Sequence, residues 1–150
     1  MRILFTRNNT IVSRTIRRVT GEPVSHVAIQ DGDYVIHSNF LGVHIEKLEE
    51  FYKHSAVYEF IVIPEEQVQY SRLWSRFLEL DRQPYDFGAM LYLGLRALFP
   101  QVMPKQNLWQ SSGAYICTEF VTAMLNGKPD CMITPHKLYL QLVEKQGEVR

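Results

Sequence analysis

The spacing of apolar residues changes along the chain, from a period of two near the N-terminus to a helical period further on. In residues 25–30 the bulky apolar side chains alternate with His26, Ala28 and Gln30, and residues 34–38 form a second run of strand type. The sequence Asp-Gly-Asp between the two runs is a turn signal, so the pattern predicts a β-hairpin. Further strands are predicted at residues 2–6, 43–45 and 58–63.

Helical spacing first appears after Thr10, which is suited to cap a helix that ends before Gly21. The apolar segment 87–99 has the length and composition of a buried core helix, with contact to lipid as the alternative. Strands gathered early and helices gathered late predict an α+β fold, an antiparallel sheet packed against helices, in one domain over residues 1–150. The further helices are predicted at residues 47–52, 65–80, 86–98, 115–125 and 135–143.

The composition is that of a folded protein, since 46% of the 150 residues are hydrophobic and 21% are charged. The 16 basic residues balance the 16 acidic ones, and the lack of a basic excess argues against a nucleic-acid partner. The N-terminus lacks the pattern of a signal peptide, and the longest apolar stretch is too short to cross a bilayer. We therefore expect a cytoplasmic protein without a transmembrane segment, and its small size suits a phage or mobile element.

The chain has two cysteines, which are too few for a disulfide framework and do not lie at zinc-ligand spacing from histidines. We therefore expect no metal and no cofactor. Cys117 falls in the first turn of a predicted helix, where backbone N–H groups and the helix dipole favour a thiolate and an oxyanion. Cys117 is the candidate nucleophile on that argument. The alternative is a small buried side chain, because Val121 and Met124 share its helical face; Cys131 is taken as structural.

His26 and His37 are the candidate base and its partner. They lie on the two strands of the predicted hairpin, and a suitable turn register brings them together on one face. His37 would then hold the His26 ring in one tautomer, as the third member of a catalytic triad does. The alternative is that both are hydrogen-bonded core residues. The other three histidines, His44, His54 and His136, are expected to lie isolated on the surface.

Short motifs follow one another along nearly the whole chain in the order histidine, polar residue, Tyr-Asp, Cys-x-Glu. They are Ser-His-Val-Ala-Ile at 25–29, Tyr-Val-Ile-His-Ser at 34–38, Tyr-Asp-Phe at 85–87, Tyr-Ile-Cys-Thr-Glu-Phe-Val at 115–121 and Thr-Pro at 134–135. Taken together, they resemble the circularly permuted branch of the NlpC/P60 superfamily. Within that branch the chain is most similar to the YiiX/YebB-like group of papain-like proteins, which is related to the lecithin retinol acyltransferase family.

The resemblance implies a permuted papain-like fold, in which the strand with the catalytic histidine precedes the helix with the cysteine. Carried over residue by residue, it makes Cys117 the nucleophile, His26 the base and His37 the third polar residue. Glu119 and Asp86 match the Cys-x-Glu and Tyr-Asp elements and are treated as supporting groups. Two tyrosines are further supporting candidates, which either polarise a carbonyl or simply pack: Tyr85 and Tyr115.

The function implied by the resemblance is that of a cysteine hydrolase, which cleaves an amide bond through a thioester. Its expected substrates are peptides, among them peptidoglycan fragments and isopeptides. An acyltransferase or lipid hydrolase acting on an acyl-lipid substrate is the alternative, and a non-catalytic binding module is a third. The chain departs from the family where its first strand lacks a leading Gly-Asp, and where the loop at residues 101–112 carries no family motif. The oligomeric state stays open.

Overall fold

The structure, a computed structural model, describes residues 1–148 and combines one open antiparallel sheet with six α-helices in that range. The strands are β1 (Arg2–Arg7), β2 (His26–Asp31), β3 (Tyr34–Asn39), β4 (Gly42–Lys47) and β5 (Ala56–Val62). The helices are α1 (Ile11–Thr20), α2 (Leu48–His54), α3 (Tyr70–Leu80), α4 (Phe87–Leu98), α5 (Cys117–Asn126) and α6 (Pro135–Glu148). The strand order is β4-β3-β2-β1-β5, and the α+β class expected from the sequence is confirmed.

The two faces of the sheet are covered by different elements. Helices α3, α5 and α6 pack on one face and build the larger core, which contains Val27, Phe120 and Cys117. On the opposite face Phe51 of α2 packs against Ala28 and neighbouring side chains in a smaller cluster. Because side chains alternate along a strand, His26 and Ala28 project to the α2 face while Val27 projects to the larger core.

Helix α5 begins at Cys117. The sequence predicted a start at residue 115, two residues earlier. Ile116 has an extended backbone, with φ −77° and ψ 166°, and is the N-cap residue. The backbone of Tyr115 is held on both sides, since its N–H donates to the Pro84 carbonyl at 3.0 Å and its carbonyl accepts from Ser38 Oγ at 2.6 Å. These bonds keep the segment extended and place Cys117 at the first helical position.

Two other predicted helices differ from those observed. The segment 65–80 divides into a 3₁₀ turn at Glu65–Gln67 and helix α3, because Val68 is extended and packs against the core before the helix starts. Helix α4 buries Ala89 and Tyr92, but Leu91 is 55% exposed. The prediction that this segment is a buried core helix is therefore wrong: it packs against α1 and leaves one side open. No helix among the described residues combines the length and hydrophobicity needed to cross a membrane.

The turn between β3 and β4 gives a test of the fold. Gly42 has φ +91°, and a Cβ there would collide with the Gln83 carbonyl, to which Val43 N–H donates. Gly42→Ala is expected to lower the unfolding free energy by roughly 3 kcal/mol, since left-handed strain of about 1–2 kcal/mol adds to a backbone displacement of similar cost. Gly32→Ala is the matched control, because Gly32 has φ +56° with open space around a Cβ. Urea unfolding of the two variants should show the larger loss for Gly42, and equal losses would contradict this account.

Candidate functional site

The thiol of Cys117 is buried at the N-terminal end of α5, with 6% of the residue exposed. Burial raises the pKa of the thiol to about 11, although hydrogen bonds from the backbone of Val27, Thr118 and Cys117 itself act in the opposite direction. The sequence argument predicted a lowered pKa, and that prediction is wrong because desolvation outweighs the helix terminus. The free thiol is therefore protonated near neutral pH.

Asp86 connects the start of α4 to the loop that precedes the cysteine helix. Its Oδ1 accepts a hydrogen bond from Ala89 N–H at 2.7 Å and caps α4. Its Oδ2 accepts from Ser111 N–H at 2.8 Å. The carboxylate is buried, so both of its oxygens serve to fix the backbone. Asp86 therefore supports the position of Cys117 without touching it.

Glu119 holds the same loop from the other side. Its Oε2 accepts from Ile116 N–H at 2.9 Å, and its Oε1 accepts from Gln110 Nε2 at 2.8 Å. The first bond is the glutamate half of a capping box, which fixes the residue immediately before the cysteine. Burial raises the pKa of Glu119 to about 7, against the effect of the Ile116 bond. Glu119 therefore acts on the backbone immediately before Cys117 and on the Gln110 side chain.

His26 and His37 meet across the hairpin, at a distance of 2.9 Å from His26 Nε2 to His37 Nδ1. Burial, followed by the charge of His37, lowers the pKa of His26 well below 6.5. Burial also lowers the pKa of His37, although its contact with Glu46 opposes this. Both rings are therefore neutral at pH 7, the state in which an imidazole is able to accept a proton.

The partners of His37 fix the direction of this chain of rings. His37 Nε2 lies 2.8 Å from Glu46 Oε1, a carboxylate oxygen that only accepts, so Nε2 of the neutral His37 ring carries the proton. His37 Nδ1 must then accept from His26 Nε2, which leaves His26 Nδ1 with a free lone pair. A third histidine extends the chain, since His44 Nε2 lies 3.1 Å from His37 Nε2 and His44 Nδ1 lies 3.0 Å from the Gly42 carbonyl.

A carboxylate that the sequence analysis missed completes this cluster. Glu46 Oε1 lies 2.8 Å from His37 Nε2, and Oε2 lies 3.1 Å from His54 Nε2. Contact with His37, and then with His54, lowers the pKa of Glu46 to about 2, so the group is ionised. His44 and His54 were expected to be surface residues without partners. His54 is exposed, as expected, but its ring contacts Glu46, and His44 is only partly exposed and contacts His37. The available signal was the hairpin register, which pairs His37 with His44 and puts Glu46 two residues further on the same face.

The cluster also has the composition of a metal site. One ligand-type atom from each of His37, His44 and Glu46 lies within 4.8 Å of the other two. The sequence argument also took His44 to have no partner at metal-ligand spacing, and the structure corrects this expectation. His136 lies elsewhere, stacked on Tyr139 of α6 with ring centroids 6.0 Å apart.

Two cavities meet at the candidate site. The first, which we call the α1–α4 cleft, has a volume of about 360 Å³, runs between α1 and α4 and ends at Cys117. The second has a volume of about 340 Å³ and is lined by His26 and His37. Ser25 and Tyr85 line both cavities and stand between them. Burial, followed by the nearby Cys117, raises the pKa of Tyr85 well above 10, so its hydroxyl stays protonated.

The structure thus joins His26 to His37 and places Cys117 beside Val27, the residue that follows His26. Within residues 1–148 no hydrogen bond connects the thiol to the His26 ring. Catalytic hydrogen bonds are often long in free enzymes and tighten when substrate binds. Tyr115 contributes through its backbone, while its side chain packs against the core.

Comparison with known proteins assigns the chain to no family. No model of a known protein family matches the sequence, and a search of curated proteins found no match.

The raised pKa of Glu119 predicts a pH-dependent stability. The folded state binds more protons than the unfolded state between the ordinary value of 4.5 and about 7. The resulting stabilisation is complete below that interval and is lost as the pH rises through it. The unfolding free energy of the wild type, relative to Glu119→Gln, should therefore fall between about pH 5 and about pH 8. Urea unfolding at both pH values measures the difference.

The control for this experiment is Glu59→Gln, which changes an exposed carboxyl on β5. Its stability relative to the wild type should stay nearly constant with pH, within about 0.5 kcal/mol. A difference between the wild type and Glu119→Gln that does not vary with pH would contradict the raised pKa.

Proposed function

We propose that this protein is a cysteine-dependent acyl hydrolase or acyltransferase with a permuted papain-like fold, and that it binds the acyl chain of its substrate in the α1–α4 cleft. The proposal combines the neutral imidazole pair at His26 and His37 with a thiol at the end of an apolar cavity. We favour lipid ester or amide chemistry, the alternative named above, over peptide cleavage.

The uncharged, apolar lining of the α1–α4 cleft is the observation that favours lipid chemistry. None of the described residues that line it bears a charge, and most are aliphatic, among them Ile11, Val12, Ile16, Leu91, Leu95 and Leu98. At one end the lining is exposed, since Ile11 is 74% and Leu98 is 54% accessible. At the other end lies the buried thiol. Its volume falls in the range of about 300–1,000 Å³ that is usual for small-molecule sites, and each methylene buried there contributes about 0.8 kcal/mol.

Polar groups in the lining of the cleft lie next to Cys117 along the chain. The Thr118 hydroxyl is fully buried and has no hydrogen-bond partner among the described residues. The backbone N–H groups of Cys117 and Thr118 belong to the first turn of α5, where N–H groups lack acceptors within the helix. These donors are suited to stabilise a negatively charged oxygen beside the thiol.

In the proposed mechanism His26 Nδ1 removes the proton from the Cys117 thiol as the sulfur attacks the acyl carbonyl carbon. The tetrahedral oxyanion is held by the N–H groups at the start of α5. When it collapses, His26 returns the proton to the departing oxygen or nitrogen, and the acyl group remains on sulfur as a thioester. Water, or a second acceptor in a transfer reaction, then attacks the thioester with His26 again acting as base.

Peptide cleavage, the first expectation from the resemblance, predicts a cleft that contacts polar backbone and charged side chains. The histidine-lined cavity is the more polar of the two and is suited to the leaving group or acceptor rather than to an acyl chain. Amine release from peptidoglycan fragments, with no reaction on acyl esters, would therefore favour the peptide alternative.

The first prediction is that Cys117 becomes acylated. Wild-type protein incubated with octanoyl nitrophenyl ester should gain the mass of one octanoyl group, on the peptide that contains Cys117. Cys117→Ala should lose both this adduct and turnover, by roughly a thousandfold or more, because removing a nucleophile removes the covalent route. Mass spectrometry and nitrophenol release measure the two effects.

The matched control is Cys131→Ala, which removes the other thiol from the loop after α5. It should keep both the adduct and turnover. If the Cys117→Ala protein is folded and retains the turnover of the wild type, the proposed nucleophile is wrong.

The second prediction concerns the cleft. Gly94 lines it, and no heavy atom lies within 4 Å of a Cβ built at this position. Gly94→Leu is therefore expected to fill part of the cleft without disturbing the fold. Turnover of the octanoyl nitrophenyl ester should fall by about tenfold or more, because each lost methylene contact of about 0.8 kcal/mol lowers the rate roughly fourfold. Turnover of the acetyl nitrophenyl ester, which has no long chain to place in the cleft, should change by less than about threefold.

Gly147→Leu adds the same side chain on α6, where a Cβ also meets open space. It should leave the ratio of octanoyl to acetyl turnover unchanged. A Gly94→Leu protein with the wild-type ratio would show that the acyl chain does not enter the cleft.

A further inference from the structure

The register of the β3–β4 hairpin places three metal-ligating side chains on one face of the sheet. His37 is directly paired with His44, and Glu46 follows His44 by two residues, so all three project to the same side. Their distances from His37 Nε2 are 3.1 Å to His44 Nε2 and 2.8 Å to Glu46 Oε1. Ligand atoms around tetrahedral zinc lie about 3.3 Å apart, given metal–ligand distances of about 2.0–2.1 Å. Two of the three distances therefore lie within about 0.5 Å of this spacing, and the third is no longer than 4.8 Å.

One atom of this cluster is a buried carboxylate oxygen. Glu46 Oε1 is buried and has no hydrogen-bond partner among the described residues, although it lies close to His37 Nε2. The carboxylate oxygen and the two ring nitrogens face one another, and a cation between the three side chains would contact all of them.

The surrounding groups orient the ligands as groups around metal sites do. The Gly42 carbonyl fixes the tautomer of His44, so that Nε2 offers its lone pair to the cluster. His54 holds the second oxygen of Glu46 at 3.1 Å. The other nitrogen of His37 contacts His26. Two imidazoles and one carboxylate form a ligand set that zinc accepts, with a fourth position left for water.

We propose that His37, His44 and Glu46 bind a divalent transition-metal ion of the zinc class, and that the bound ion prevents His26 from acting as a base. The first half of this proposal is independent of the enzyme's activity. The second half rests on the function proposed above.

The effect on His26 follows from where the protons lie. Without metal, the hydrogen bonds place the protons of His37 and His26 on Nε2 of each ring. A metal on His37 Nε2 requires that ring to carry its proton on Nδ1, from which it donates to His26 Nε2. His26 then carries its own proton on Nδ1, the nitrogen that would otherwise receive the thiol proton. Each of these two rings carries one proton in both states, so the ion relocates their protons without releasing any.

Metal binding is tested in a background that contains no thiol at position 117. Titration of Cys117→Ser with Co²⁺, followed by the visible absorption of tetrahedral cobalt and by calorimetry, should show one site, and Zn²⁺ should displace the cobalt. Adding His44→Gln or Glu46→Gln should weaken binding by more than about 100-fold, because each removes a ligand. His136→Gln, on α6, should bind as the parent does. Binding that survives both ligand substitutions, or no binding by the parent, would overturn the site.

The link to the base is tested on the protein with Cys117 intact. Zn²⁺ should slow both the acylation of Cys117 by the octanoyl ester and its alkylation by iodoacetamide. The Zn²⁺ concentration that gives half of this effect should match the dissociation constant measured with the Cys117→Ser protein. In His44→Gln the ratio of rates with and without Zn²⁺ should return to near one. Binding at the cluster without an effect on Cys117 alkylation would overturn the regulatory half. If the metal binds but the ester never acylates the protein, the proposed function fails while the metal site stands.

Discussion

The packing of the first turn of α5 against the backbone of β2 is the interaction on which the site depends. It buries the Cys117 sulfur beside Val27, and this burial raises the pKa of the thiol to about 11. The same desolvation keeps His26, on the preceding residue of β2, in its neutral form. A neutral thiol and a neutral imidazole are the pair expected for proton transfer during attack, rather than for a thiolate held ready beforehand. The buried carboxyl groups of Asp86 and Glu119 accept hydrogen bonds from the backbone of the loop that precedes this turn.

The sequence was informative where local pattern decides structure. The hairpin with His26 and His37 could be predicted because alternating residues flank a turn sequence, and the two rings do meet. The contribution of Glu119 could be anticipated from the Cys-x-Glu spacing, although the capping bond itself becomes visible only once the helix start is known. Other properties depend on tertiary contacts. The pKa of Cys117 is set by how completely neighbouring elements exclude water, and no local pattern reports that.

The errors have physical causes as well. His44 was taken for an isolated surface residue because the turn was placed at residues 39–42 but the strand register that this turn sets was not followed to the pairs beyond it. A two-residue connection pairs His44 with His37, and Glu46 then follows on the same face. Helix α4 was taken for a core helix from its hydrophobicity alone. Its partner turned out to be α1 rather than the sheet, which leaves an apolar surface with no cover.

That uncovered surface and the histidine cluster divide the proposed reaction between two sides of the molecule. In the proposed reaction an acyl chain in the α1–α4 cleft would reach Cys117, whereas the chain of imidazoles would act on His26 from the face covered by α2. Ser25 and Tyr85 line both cavities. Such a division would separate the two requirements of acyl transfer. The cleft would select the chain through apolar contact, and the distant end of the imidazole chain, at His44 and Glu46, would set which nitrogen of His26 is free. A change at the exposed edge of the sheet would in this way govern a buried thiol that it does not contact.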